Sequence, residues 1–434
     1  MFEIISEMFG YAFLVRAVIV GALVSICAAL LGVSLVLKRY SMIGDGLSHV
    51  GFGSLALATA LNAAPLSVAI PVVIAAAFLL LRLSENSKIK GDAAVALIST
   101  GSLAIGVIII SQTTGMNTDV CNYLFGSILA MAKADVYLSI ALSIIVLVLF
   151  ILFYHKLFII TFDETFAKAT GIKTGLYNML IAFLTALTIV LGMRMMGAML
   201  ISSLIIFPAL SSMRLFKQFK SVTVCSAVIS ILCFFIGVVI SYLYATPTGA
   251  SVVGINIIVF VLFWLIETLR NSTIINRRIK TMRKNKPVLI AAIIAVTALF
   301  SAVSCTKAKA ELADTVEIGE KMFVSQVNDV YLNAEDYLGK TIKLEGMFKQ
   351  DQGYEKLYCF VLRYGPGCCG TDGNDGFEVA WANEQAQPYP AIDSWVEATG
   401  VLKTYEEDGY DQYLYLDLSS LNVLSRRGAE TVIQ

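Results

Sequence analysis

Charge is scarce in this chain. Lys, Arg, Asp and Glu make up 15% of its 434 residues, against about 25% in an ordinary soluble domain. Histidine is scarcer still, with two copies, and proline occurs eight times. So little charge excludes an intrinsically disordered or collagen-like chain and a nucleic-acid-binding protein. A phosphate-binding loop is also missing. Gly339-Lys340-Thr341 is the nearest approach, but the glycine required five residues earlier is replaced by Ala334. What is abundant is apolar surface: 57% of residues are hydrophobic and the mean hydropathy is +0.77. The formal net charge of zero hides an asymmetry. Residues 1–305 carry 21 basic and 10 acidic side chains, whereas 306–434 carry 11 and 22. Opposite excesses of the same size point to two parts in different environments.

A membrane-spanning helix needs roughly 20 mostly apolar residues. Suitable stretches lie near 11–37, 43–62, 66–83, 93–112, 134–155, 175–195, 197–214, 222–243 and 251–270. They predict an all-α polytopic membrane bundle of eight or nine helices, since helices satisfy their own backbone groups in lipid. The connections alternate in charge. Lys38-Arg39, Arg82 to Lys90, Lys156 to Lys173, Arg214 to Lys220 and 270–286 are basic, while the turns near residues 62–65, 115–119 and 246–249 are not. The positive-inside rule then puts the N-terminus outside and residue 270 in the cytoplasm. Small residues such as Gly44, Gly46, Gly51 and Gly53 permit close helix packing.

Ionisable groups at membrane depth are costly and need a reason. Asp45 and His49 stand four residues apart and share one face of a helix. Counted from Arg39 at helical rise, His49 lies roughly 15 Å deep. A carboxylate and an imidazole on one face form half of a Zn²⁺ or Mn²⁺ site, the remainder coming from other helices or a second copy. The plain alternative is a self-neutralising pair in the core. Asp163, Glu164, Ala167 and Gly171 fall in a predicted cytoplasmic loop. The acids suit a helix start and the glycine a helix stop, so a short cytoplasmic helix is predicted there. His155 reads as an interfacial residue opening that loop, Arg194 as a side chain snorkelling to outer headgroups, and Glu267 as a residue near a helix end needing no functional reason. Pro208 falls inside a span, where it would kink the helix. Cys27, Cys121, Cys225 and Cys233 lack metal-site spacing.

Gly44-Asp45-Gly46-Leu47-Ser48-His49 resembles the G-D-[AG]-[LI]-S-H signature of bacterial zinc/manganese/iron permeases, the membrane subunits of ATP-binding-cassette importers. Residues 122–129 (NYLFGSIL), 162–171 (FDETFAKATG) and 196–209 (MGAMLISSLIIFPA) are similar to three further segments of that family, in its order, so that the resemblance covers about residues 8–270. It implies a transporter subunit rather than an enzyme. Asp45 and His49 would lie on the path of a transported Zn²⁺, Mn²⁺ or Fe²⁺, with zinc favoured, and no cofactor would be bound permanently. The segment Asp163 to Gly171 would be the coupling helix. The implied partners are a second copy in a homodimer, an ATPase on a separate chain, an extracytoplasmic metal-binding protein and the lipid bilayer of the bacterial inner membrane, with no nucleic acid. A permease for metal chelates shares the broad architecture, but a chelate needs a wider and less ligand-rich path.

Residues 271–305 form a basic linker, an apolar run at 288–303 and Ser304-Cys305. This reads either as a lipoprotein signal with Cys305 the candidate lipidation site, or as a tenth span at 288–304. Both place 306–434 outside the cytoplasm. That tail alternates with period two at 341–348, 357–364, 376–381, 395–402 and 413–418. Five such strands with glycine turns, and a helix near 319–332, predict a small OB-like β-barrel. Cys368 and Cys369, with Cys359 read on a neighbouring strand and Asp372 nearby, offer a Zn²⁺ site or, more plainly, a disulfide. Residues 372–376 match a calcium loop only loosely, because Asn383 stands where the closing Glu is needed. The tail looks similar to small OB-like domains associated with bacterial permeases and having a Cys-Cys pair. A membrane-anchored thiol redox or metal-sensing protein acting through this tail is the alternative function.

Overall fold

The computed structural model describes residues 8–276 and 315–432, apart from 62, 64, 87–90, 114–132, 245, 353–356, 368–369, 382–387 and 408–409. Its first part is a helical bundle: α1 (Ala12–Leu37), α2 (Ile43–Ala60), α3 (Pro65–Asn86), α4 (Gly91–Thr113), α5 (Lys133–Phe162), the short α6 (Glu164–Ala169), α7 (Thr174–Met196), α8 (Ala198–Leu215), α9 (Phe219–Tyr244) and α10 (Thr248–Asn276). Seven of these are long and apolar enough to cross a membrane; α2 and α8 are not among the seven. All nine long helices fall on the stretches read from the sequence. The candidate tenth span and Cys305 lie outside the described residues, as do the 122–129 segment and Cys121.

The α1 helix is well enclosed and packs against α5, α7, α8 and α9. Its small residues let neighbours come close. At Gly32 a Cβ would sit 2.0 Å from the backbone oxygen of Ile205 on α8. Ser230 and Ser226 of α9 donate to the carbonyls of Ser25 and Ala29 at 2.9 and 3.3 Å, the serine-mediated contact expected between helices lacking a hydrophobic driving force. Away from α1, the windows on α4 and α10 are mostly uncovered and present Leu97, Ile105, Ile108, Ile258 and Trp264 to the surroundings.

The α5 helix continues to Phe162, seven residues beyond the expected end. His155 is therefore an exposed residue inside a helix rather than the opening of a loop. The apolar run after Lys156 explains the extension, since Phe158 and Phe162 pack with Phe219 of α9. Glu267 also differs from its reading. It lies within α10 and pairs with Arg214 of α8 at 2.9 Å, while that guanidinium sits 4.6 Å over the Phe260 ring. Pro208 lies inside α8 and Pro71 inside α3. Arg194 falls in the last turn of α7. The turn after α7 needs glycine, because Gly197 has φ +82°, where L side chains are strained.

The second part comprises β1 (Thr315–Ile318), α11 (Phe323–Leu332), β2 (Thr341–Gln352), β3 (Leu357–Gly367), β4 (Gly370–Ala380), β5 (Trp395–Glu407) and β6 (Tyr410–Val423). The alternating stretches become these five long strands, and β2 pairs with both β3 and β5, which closes a barrel in the order β2-β3-β4-β6-β5. Only β4–β6 within that ring is parallel. The interior is apolar, with Phe348, Val361, Phe377, Val396, Leu402 and Leu416 fully buried. The short β1, which the sequence reading lacked, adds to β2 in parallel, and α11 packs on β1 and β4.

Candidate metal path and coupling helix

A tight turn separates α1 from α2. Arg39 takes φ +63°, Tyr40 N–H donates to Leu35 O and Arg39 N–H to Val36 O, a paired closure of the helix end usually built on glycine. Because 38–42 is a turn, α2 begins at Ile43 and His49 lies only about 9 Å along it by helical rise. The 15 Å depth counted from Arg39 is corrected accordingly, and Asp45 occupies the first turn, where the helix dipole favours a carboxylate.

The pair is brought together as its spacing predicts. His49 Nε2 lies 3.7 Å from Asp45 Oδ2, with the two side chains 23% and 47% exposed. The contact is too long for a hydrogen bond. His49 Nδ1 is buried and has no hydrogen-bond partner, which is costly unless something else uses it. The glycines around the pair are packing positions: a Cβ at Gly46 would meet Val95 of α4, one at Gly51 would meet Met193 of α7, and one at Gly44 would meet Ile205 of α8. Three helices thus close on the one that carries the pair. Two ligands do not complete a metal site, and among the described residues no group of three or more metal-ligating side chains occurs.

Residues 163–171 form the short helix expected of them. Asp163 caps α6 by accepting from Phe166 N–H at 2.8 Å, and this bond holds its carboxyl below the usual carboxylate range. Gly171, at φ +82°, ends the helix. Its N–H donates to Lys168 O, and Ile172 N–H donates to Ala167 O. Ala167 is fully buried, so it seats the helix, while Phe166 projects outward, exposed. Glu164 ties the helix to the bundle. It lies 3.1 Å from Lys168, 3.4 Å from Asn178 of α7 and 3.7 Å from Lys38, and Lys38 Nζ donates to Asn178 Oδ1 at 2.5 Å. Burial raises the Glu164 carboxyl, but these partners outweigh it and the net shift is downward. Asn178 was not singled out in the sequence, and Lys38 only as part of a basic connection. Lys38 ends α1 immediately before the turn into α2, so this cluster joins the short helix to the segment carrying Asp45.

The tail cysteines are not assembled in the same way. Cys359 is buried in the barrel core as a free thiol, and burial pushes it up. It lies on β3, which pairs with β4, the strand that carries Asp372. Gly367 is eight residues further on, about 26 Å along an extended strand, and pairs with Gly370. Cys368 and Cys369 lie outside the described residues, as does the side chain of Asp372.

Comparison with known proteins bears on the whole of the first part. The ABC 3 transport family matches residues 10–267. The chain belongs to that family. It is 31% identical to the high-affinity zinc uptake system membrane protein ZnuB of Haemophilus influenzae, over 58% of this chain and 97% of that protein. It is 27% identical to the manganese transport system membrane protein MntC of Halalkalibacterium halodurans, over 59% of this chain and 88% of that one. Among solved structures, PsaBC from Streptococcus pneumoniae in complex with Fab superposes with a TM-score of 0.55 at 30% identity, covering 60% of this chain and 94% of the other. A second family, the DUF1980 C-terminal domain, matches residues 298–426. The chain is thus a multi-pass membrane permease of the ABC 3 transport family carrying a C-terminal β-barrel.

Proposed function

We propose that this permease is the membrane subunit of an ATP-driven importer of divalent transition metal ions, zinc first, with manganese or iron the alternatives. The reading rests on one observation: Asp45 and His49 share a half-buried face of α2, and His49 keeps a buried nitrogen without a partner. The zinc and manganese systems named for its relatives support the same substrate class. Asp45 and His49 supply two ligands, and the remainder come from a second copy in a homodimer or from the ion's own water. ATP is hydrolysed on a separate chain that receives α6, with Phe166 as its apolar contact. An extracytoplasmic binding protein delivers the ion. Movement of α6 then reaches the site through Glu164, Lys38 and the 38–42 turn.

In this reading residues 1–270 are the transport domain in the bacterial inner membrane, 271–305 a junction and 306–434 an extracytoplasmic OB-like barrel. The two family matches leave 268–297 between them, which supports that division. The junction is a tenth span, or a signal cut before Cys305 and lipidated there. A tail acting as a thiol redox or metal-sensing centre is weakened by the burial of Cys359 and its distance along β3 from Gly367. Zinc and manganese uptake by cells expressing the chain with its ATPase and binding protein tests the proposal. Uptake that survives both Asp45→Ala and His49→Ala would sink it.

A further inference from the structure

The barrel does not stand apart from the bundle. Arg16, five residues into α1, is the first charge in that span, and its guanidinium reaches Asp329 of α11 at 2.5 Å. Asp329 is almost fully buried, with its carboxylate 1% exposed, and every direction around it is used. Asn333 Nδ2 donates to it at 2.8 Å and Tyr337 O–H at 2.5 Å. Two further bundle helices meet the same short stretch. Lys133, at the start of α5, pairs with Asp336, and its backbone N–H donates to Asn333 Oδ1 at 3.1 Å. Lys321 lies over the ring of Tyr242 at the end of α9. Met322, held at φ +59°, is buried in the apolar cluster of the bundle.

These contacts share one end of the membrane part. Arg16 and Lys133 begin their helices and Tyr242 is near the end of its own, and each of those termini lies opposite the basic loops. The contacts involve α1, α5 and α9. In contrast, α2 with Asp45 and His49 packs mainly on α3 and α4.

We propose that segment 321–336 is a brace: it staples the outer ends of α1, α5 and α9 into one block, latched by Arg16 and Asp329, and remains docked while the α2–α3–α4 side moves during transport. The partner of this barrel face is the permease's own outer end. A buried charge pair suits the task. Separation would leave an uncompensated charge in a place built for two, so the contact is either made fully or lost.

The test uses the full chain in phospholipid nanodiscs. A water-soluble carbodiimide joins a lysine amine to a carboxylate only when they touch, and peptide mass spectrometry locates the amide. The brace predicts a Lys133–Asp336 link beside an internal control, Lys403–Asp417, which lie 2.5 Å apart within the barrel. Arg16→Glu should lower the Lys133–Asp336 yield at least five-fold and leave the control unchanged. If that variant spoils the bundle, Arg16→Gln is read against the same control. An absent Lys133–Asp336 link with the control present, or a yield indifferent to Arg16, overturns the docking. A second arm rests on the transport reading. Lys133→Cys with Asp336→Cys, joined by a short bismaleimide, should keep metal uptake within about two-fold of the unjoined chain. Loss of uptake only after joining overturns the fixed brace. A chain that takes up no metal even before joining tells against the transport proposal, while the carbodiimide result still judges the brace.

Discussion

Asp45 and Asp329 are carboxylates at opposite ends of one helical bundle, and their surroundings differ in a telling way. Asp329 is buried and saturated by Arg16, Asn333 and Tyr337. Asp45 is half exposed, 3.7 Å from His49, in a pair whose imidazole keeps a buried nitrogen without a partner. A polar group whose partners all come from the protein holds structure. One left short of partners, yet kept where burial makes that costly, calls for another reason, and the proposed passage of a metal ion gives one for Asp45 and His49. The same contrast separates the other polar groups. Glu164 is paired and fastens α6, whereas the Phe166 side chain near it is exposed.

The largest expected effect breaks the comparison at Asp45. Asp45→Ala and His49→Ala should each bring metal uptake to background while leaving the thermal unfolding midpoint nearly unchanged, because their 3.7 Å contact is too long for a hydrogen bond. The double variant should be no worse than either, as expected of residues acting as a unit. Arg16→Ala should do the opposite. It leaves Asp329 buried without its cation, at a cost of about 3 kcal/mol, and should lower the midpoint of the full chain and expose 315–340 to protease.

Smaller effects sharpen the contrast at α6. Gly171→Ala forces a side chain into left-handed backbone, costing about 1–2 kcal/mol, and should reduce the ATPase stimulation by permease without altering metal affinity. Glu164 titrates below its ordinary value in the folded chain. Its contribution is therefore full above the unfolded carboxylate range near pH 4.3 and is lost as pH falls through the folded value. Titration of Glu164 should leave uptake energised by ATP unchanged between pH 6 and 8, and hydrogen exchange in 163–171 should rise only in acid. The smallest effect is at Cys359. A buried thiol pushed upward should react with iodoacetamide at pH 8 far more slowly than a free cysteine until the barrel is unfolded by denaturant.

Much of this was legible in the sequence for a physical reason. Lipid forces each span to declare itself as an apolar run, so the nine long helices described were all found, seven of them within about three residues of their ends and α5 and α10 running six or seven residues further. The short helix at 164–169 was marked by Asp163 and Gly171, which act locally as cap and stop, and the barrel strands were marked by their period of two. What was not legible depended on contacts remote in sequence. Arg16 and Asp329 are 313 residues apart; the only local sign was an arginine inside an otherwise uncharged span. The depth of His49 was misjudged because 38–42 spends its length in a turn. The extension of β3 to Gly367 was not marked, because the apolar alternation stops near Tyr364.

The central claim is that transport chemistry resides on α2 and that the tail supports it without performing it. Uptake of labelled zinc by cells expressing the chain with its ATPase and binding protein tests this directly, comparing Asp45→Ala with Cys368→Ser/Cys369→Ser. The account predicts background uptake in the first and a near-normal rate in the second. Normal uptake in the first with loss in the second would contradict it.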